Sequence, residues 1–165
     1  GLYHVVGVTP EAPTLEKAFG GDDPEETVSF CDNELKEAKE HLSTHGSEDV
    51  DYVVLGCPHL SIKEIMDVAK LVKGKKIHDD VNLWLITTPT ARLHAELMGL
   101  RDIIKAAGGH MAASRCWSRF IPTPKVMATD AAKLAHYARA HYTDTDFWFG
   151  SLEECINAAL TGRWR

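Results

Sequence analysis

The sequence predicts a three-layer α/β fold with a mostly parallel sheet, formed as one domain by residues 1–165. Short apolar runs rich in valine, isoleucine and leucine alternate with longer stretches whose apolar residues recur at helical spacing, which is typical of β-α-β units. Strands joined by helices in this way pair in parallel, with helices covering both faces of the sheet. The composition, with 44% hydrophobic and 25% charged residues, agrees with a globular domain.

Up to residue 60, each predicted element depends on a local signal. Residues 2–8 are mostly apolar and predict a strand, which Pro10 and Pro13 end because proline cannot donate to a strand ladder. Residues 14–19 predict a short helix, and residues 26–30 predict a weak strand. Asp32 can serve as the N-cap of a helix over residues 33–45. Residues 51–56 form a near-continuous apolar run, which is typical of a strand buried on both faces.

From residue 61 onward the signals are capping boxes and glycine stops. Ser61 and Glu64 form a capping box that begins a helix reaching residue 72, and Ser151 and Glu154 form another at the last helix. The predicted strands between these helices are 81–88, 110–114, 125–129 and 147–150. One helix is predicted from residue 90 to the glycines at 108 and 109, and it is broken near Gly99. Asp130 is predicted to cap another helix, which ends near Tyr142.

Charge and hydropathy exclude two classes of partner. The formal net charge is −6, whereas nucleic-acid surfaces cluster lysine and arginine. The most apolar run, residues 81–88, is far shorter than the roughly 20 residues that span a bilayer. The start of the chain shows no signal peptide, and the four cysteines are widely spaced without a Cys-x-x-Cys pair. We therefore expect a cytoplasmic protein whose thiols are structural, catalytic or metal-binding.

Cys57 follows a predicted strand and precedes a helix, in the segment Gly56-Cys57-Pro58-His59-Leu60-Ser61. Ligands of open parallel sheets bind at the carboxyl ends of strands, and the backbone N–H groups there favour a thiolate. Cys57 is therefore a candidate metal ligand or nucleophile, and His59 a candidate acid–base group, substrate contact or partner of a metal ligand. Spacing alone favours the simpler interpretation, in which Cys57 is a small buried residue and His59 an exposed loop residue.

Cys116 also follows a predicted strand, so two of the four cysteines fall at one edge of the predicted sheet. Cys31 and Cys155 do not, and we expect both to have packing roles. Two thiolates do not complete a metal site, because structural zinc takes four ligands and iron–sulfur clusters usually take three or four cysteines. A missing ligand would have to come from His59, from another chain, or from residues outside this one.

Three further polar residues are candidates for substrate binding. Thr87 and Thr88 lie between a strand and a helix, where hydroxyl and amide groups can hold a carboxylate or phosphate, although simple helix capping explains them as well. Lys133 is in the first turn of a predicted helix, where a cation is unfavourable to the helix dipole and an anionic partner would compensate.

Four segments of the chain resemble the aconitase X family. They are His4-Val5-Val6-Gly7-Val8-Thr9-Pro10-Glu11-Ala12-Pro13, the Cys57 segment, residues 85–88 with the helix that follows, and the stretch from Cys116 to Lys133-Leu134-Ala135-His136-Tyr137. Residues 154–164 also resemble the end of the family's large subunit. The similarity extends over essentially the whole chain.

The resemblance implies part of an iron-dependent hydro-lyase that removes water from a small hydroxylated acid. The substrate would be cis-3-hydroxy-L-proline, with mevalonate 5-phosphate as the alternative. In this family three cysteines hold an iron–sulfur cluster or a single iron. Cys57 and Cys116 match two of them, and the third would lie in an N-terminal part of the large subunit outside this chain. Lys133 matches a lysine that contacts the substrate anion.

The resemblance also implies a small swivelling domain or subunit that closes the site, so the isolated chain is expected to fold but to be inactive. Two other interpretations remain open at this point. One is a non-catalytic α/β binding or assembly module with buried cysteines, and the other is a redox dithiol, which needs disulfide-compatible geometry.

Overall fold

The computed structural model describes residues 3–114, 116 and 122–165. It divides into two compact units, Gly1–Leu35 and Lys36–Arg165, where the sequence predicted one domain over residues 1–165. The first unit contains helix α1 (Leu15–Phe19) and the start of α2 (Asp32–His41), and its described residues contribute no strand. All five strands of the sheet belong to the second unit.

The two strands predicted in the first unit are wrong. Residues 3–5 have no regular structure and residues 6–8 form turns, in which the Val5 carbonyl accepts the N–H groups of both Val8 and Thr9, and the Gly7 N–H donates to the Ala12 carbonyl at 2.9 Å. These local bonds satisfy backbone groups that a strand would offer to a neighbour. Residues 26–30 are exposed without regular structure, since an apolar run without a packing partner gains nothing from becoming a strand.

The second unit is the predicted α/β fold, and its strands are all parallel. Among the described residues the sheet has the order β3-β2-β1-β4-β5, from β1 (Tyr52–Leu60), β2 (Asn82–Thr87), β3 (His110–Ala113), β4 (Val126–Thr129) and β5 (Asp146–Phe149). The connecting helices are α3 (Ile62–Val72), α4 (Pro89–Leu97), α5 (Leu100–Ala106), α6 (Ala132–Ala138) and α7 (Leu152–Thr161).

Two apolar cores flank the sheet, because successive strand side chains point to opposite faces. On β1, Val53 and Leu55 join the core that contains α3, α5 and α7, while Val54 joins the core that contains α6. Both faces of the sheet are therefore covered, which confirms the three-layer architecture. No helix in the described part of the chain is both long and apolar enough to cross a membrane.

The helix boundaries follow the predicted signals at most positions. Both capping boxes form, and Gly99, with φ of 70°, separates α4 from α5. The predicted Asp130 cap is wrong, because Ala131 takes the N-cap position of α6 without a side-chain bond. The Thr129 hydroxyl accepts the Ala131 N–H at 3.1 Å instead, and α6 ends at Ala138, before the predicted end.

Candidate functional site

The carboxyl end of β1 is distorted around Cys57. Leu55 pairs with Leu85 of β2 but Leu60 pairs with Thr87, so β1 advances five residues where β2 advances two. The three additional residues leave the regular ladder, and the peptide between Cys57 and Pro58 is cis. Bulges of this kind re-aim side chains beside functional sites. This one presents Cys57 and His59 at the edge of the sheet.

Gly56 is the residue that permits this distortion. Its φ is 107°, a backbone conformation that residues with a Cβ rarely adopt. A Cβ placed here would collide with the backbone carbonyl oxygen of Ile86 on the neighbouring strand and would lie 3.1 Å from Cγ of Leu60. The close approach of β1 to β2 beside Cys57 therefore requires glycine.

A pocket of about 360 Å³ opens at this edge of the sheet. Its lining includes both strand-end cysteines, Cys57 and Cys116, together with His59 and Lys133. The other four lining residues are Gly56, Pro58, Ile86 and Ser114. The residues come from the ends of β1, β2 and β3 and from α6. Four segments distant in sequence thus converge on one cavity, as expected for the ligand site of a parallel sheet.

The four cysteines have different surroundings. Cys57 is half-buried and packs against the core on the α6 side, while Cys116 is exposed and lines the pocket. An exposed Cys116 does not fit the interpretation in which both thiols are merely buried. Cys155 is buried as predicted, and its burial raises the pKa of its thiol well above the usual value. The packing role predicted for Cys31 is wrong, because Cys31 is exposed.

Cys31 instead takes part in a local contact at the start of α2. Its thiol donates to the Glu34 carboxylate at 2.7 Å, and its backbone N–H donates to the same carboxylate oxygen at 2.8 Å. These bonds lower the pKa of Glu34. They explain the position of Cys31 without any ligand.

The two threonines lie near the pocket in sequence but are not part of its lining. Thr87 is fully buried, and its hydroxyl donates to the Leu60 carbonyl at 2.6 Å, which holds the end of the β1 distortion against β2. Thr88 is the N-cap of α4, and its hydroxyl accepts the Ala91 N–H at 3.2 Å. Both side chains have structural partners here, and substrate contact by either one stays a prediction.

Sequence reasoning missed two residues close to the cysteines. Ser114 lines the pocket with φ of 58°, an unusual conformation for a residue with a Cβ. It could have been found, because it follows β3 as directly as Gly56 follows the regular part of β1. Tyr142, predicted only as the approximate end of a helix, is the second residue. Burial raises the pKa of the Tyr142 hydroxyl, and Cys116 and Tyr52 raise it further.

The pocket lining contains few side chains that could bind a metal, and the two thiols among them are soft ligands. Two thiols suit iron or zinc, and Lys133 supplies the positive charge of the lining residues. Within the described ranges, no group of three or more histidine, cysteine, aspartate or glutamate side chains is placed to hold a metal ion. The described residues therefore offer two thiols that could bind a metal and one lysine that could bind an anionic group.

Comparison with known proteins gives the same family by two routes. Residues 50–161 match a family model described as the aconitase X third domain. The chain is 34% identical over 98% of its length to a cis-3-hydroxy-L-proline dehydratase of Pseudomonas aeruginosa. It is 35% identical over 82% of its length to a phosphomevalonate dehydratase large subunit of Methanothermobacter thermautotrophicus.

The chain spans 29% and 33% of these two relatives. A crystal structure of aconitase X from Thermococcus kodakaraensis, described as its holo-form, shares the fold with a TM-score of 0.70. At 24% sequence identity, the match covers 83% of this chain and 35% of that structure.

Proposed function

The chain belongs to the aconitase X family, and we propose that it forms part of an iron-dependent hydro-lyase that removes water from a small hydroxylated acid. The similar proteins of known activity are dehydratases of two kinds. The chain spans about a third of their length or less, so the complete enzyme would include the rest of the large subunit and a small swivelling domain or subunit.

The observation that carries this proposal is the pocket that brings Cys57, Cys116 and Lys133 together. Thiol ligands and a cation at one strand-end cavity are the parts that a metal-assisted dehydration of an acid needs. A packing role for these residues would not explain why an exposed thiol, a half-buried thiol and a lysine from three segments line the same cavity.

Cys57 and Cys116 would hold the iron, either as part of an iron–sulfur cluster or as a single ion, with a third cysteine from outside this chain. Iron bound there would supply a Lewis acid for the leaving hydroxyl. The bulge sets the path of the backbone at Cys57, and the Thr87 hydroxyl holds the end of the bulge by donating to the Leu60 carbonyl. The thiol at residue 57 is therefore held by the fold before any metal binds.

The other lining residues would handle the substrate. The Lys133 ammonium group would pair with the substrate carboxylate or phosphate and orient it above the sheet edge. His59 is exposed at the pocket and can exchange a proton with the substrate carbon or with the leaving hydroxyl, which makes it the acid–base candidate of this chain. Gly56 and Ile86 form the wall, where a larger side chain at residue 56 has no room.

We propose cis-3-hydroxy-L-proline as the substrate because the alignment with that dehydratase covers 98% of the chain. Mevalonate 5-phosphate is the second candidate, since the archaeal large subunit is equally similar at 35% identity over a shorter stretch. Both substrates are hydroxylated acids, and both present an anion that Lys133 could bind.

Steady-state turnover of the complete dehydratase on each substrate tests this proposal, with the 165-residue chain assayed beside it. We expect turnover by the complete enzyme and none by the isolated chain. Replacing Lys133 by methionine removes a charged contact worth about 1.5–3 kcal/mol, so kcat/KM should fall by roughly 10- to 100-fold. The exposed Lys70 on α3 provides the control Lys70→Met, which should leave kcat/KM unchanged.

Turnover by the isolated chain would contradict the proposal that the site is shared with other parts of the enzyme. Equal effects of the Lys133 and Lys70 substitutions would contradict the role of Lys133 in binding the substrate anion.

A further inference from the structure

The first unit of the chain is unusual in how little of it is buried. Within its described residues, 3–35, Ala12 is the only buried residue. Nine large apolar side chains are exposed there: Tyr3, Val5, Val6, Val8, Leu15, Phe19, Val28, Phe30 and Leu35. The exposed fractions reach 84% at Tyr3 and 79% at Phe30.

Isolated apolar residues are normal on protein surfaces, but such a concentration is not. Among the described residues, 14 large hydrophobic side chains are exposed, and nine of them fall in this segment. Large exposed apolar patches usually mark surfaces that another protein or domain covers. The segment therefore has the character of an interface whose partner is another protein surface.

Charge gives the chemistry of that partner. Residues 1–35 hold eight acidic residues and one lysine, a formal net charge of −7, while the whole chain carries −6. Residues 36–165 thus carry +1. Because nearly all the excess negative charge lies in the apolar-rich first unit, its partner surface should be both apolar and net positive.

The family match indicates that other domains of the same protein supply the partner surface. The third-domain model begins at residue 50, yet the alignment with the Pseudomonas dehydratase covers 98% of the chain. Residues 3–35 therefore have counterparts in the relatives, outside their third domain. The relatives are about three times longer than this chain, so they contain the further domains on which such a segment can pack.

We propose that residues 3–35 form a docking segment that binds an apolar, positively charged surface on the other domains of the same large subunit. The proposal rests on the proposed function, because it assumes that the chain is part of a larger dehydratase. The apolar side chains supply the buried contact, and the carboxylates select a basic surface. Docking would connect the third domain to the part of the enzyme that carries the remaining iron ligand.

Hydroxyl-radical footprinting with mass spectrometry tests this docking directly. The complete dehydratase and the 165-residue chain are labelled side by side, and the oxidation rates of Tyr3 and Phe30 are compared. We expect both rates to fall at least about tenfold in the complete enzyme, because buried aromatic rings lose their contact with solvent. Rates within twofold of those in the isolated chain would overturn the proposal.

Two sets of variants separate the apolar and charge contributions. The pair Val28→Ser and Phe30→Ser should restore rapid oxidation of Tyr3 in the complete enzyme, whereas Leu97→Ser on α4 should not, although Leu97 is 78% exposed and Phe30 79%. Replacing the acidic residues 22, 23, 25 and 26 by their amides should make the protection of Tyr3 insensitive to salt. Equal effects of the serine substitutions at Phe30 and Leu97 would contradict a specific docking segment.

Turnover is measured on the same samples so that the two proposals can fail separately. Protection of Tyr3 and Phe30 without dehydration would leave the docking in place and refute the proposed activity. Dehydration without protection of Tyr3 and Phe30 would refute the docking and leave the proposed activity in place. Slow oxidation of both residues already in the isolated chain would also overturn the proposal, since the segment would then be covered by its own chain.

Discussion

Replacing Gly56 by alanine should be among the most damaging small changes in the chain. The φ of 107° costs a residue with a Cβ about 2 kcal/mol. The collision of the new Cβ with the Ile86 carbonyl forces β1 away from β2, at a cost of about 2 kcal/mol more. We therefore expect Gly56→Ala to lower the free energy of unfolding by about 4 kcal/mol, which is a large part of the stability of a typical domain.

Gly74 provides a control for the backbone contribution. Its φ is 73°, and a Cβ there would meet nothing within 4 Å. Gly74→Ala should cost only about 1 kcal/mol, from the backbone conformation alone. Urea unfolding of both variants, followed by tryptophan fluorescence, measures the two values. A difference of less than about 1 kcal/mol between them would refute the close approach of β1 and β2 beside Cys57.

Three further perturbations test the neighbourhood of the site. Thr87→Val removes the buried hydroxyl that donates to Leu60, so urea unfolding should show a loss of about 1–3 kcal/mol, and a loss below 0.5 kcal/mol would contradict this contact. Burial and then Glu64 raise the pKa of Asp130, so the wild-type chain should lose stability as the pH rises from the usual aspartate pKa through the raised one. Asp130→Asn should lack that loss and become the more stable protein toward neutral pH, whereas parallel stability curves would rule out the raised pKa. In N-ethylmaleimide labelling, exposed Cys31 should react quickly and buried Cys155 only after unfolding, and equal rates would show that Cys155 is accessible in the folded state.

The sheet and most of its helices could be predicted because their signals are local and agree with one another. The capping boxes at Ser61 and Ser151 fix helix starts, and Gly99 fixes a break, since each acts through neighbouring backbone groups. Because ligands of parallel sheets bind at the strand ends, the sequence also predicted that Cys57 and Cys116 lie at one edge of the sheet, and both line the same pocket there. The failures of prediction came where a local pattern lacked a packing partner.

Residues 2–8 show this limit most clearly. Their apolar character indicates a strand, but a strand needs a neighbour, and the described residues satisfy their backbone groups through local turns around Val5 and Gly7. The pocket at Cys57 could be predicted only in part for a related reason. The bulge depends on the approach of Gly56 to Ile86 across two strands, and one sequence does not reveal that contact.

Cys57 and Cys116 are proposed to hold iron together with a ligand from elsewhere in the enzyme. The most direct test of this proposal is the iron content of the complete dehydratase, measured by plasma mass spectrometry on the wild type and on the serine variants of residues 57, 116 and 31. We expect iron to be lost in the Cys57→Ser and Cys116→Ser variants and retained in Cys31→Ser, whose thiol lies in another segment and bonds to Glu34. Full iron content in the Cys57 and Cys116 variants, with all proteins folded, would contradict the proposal.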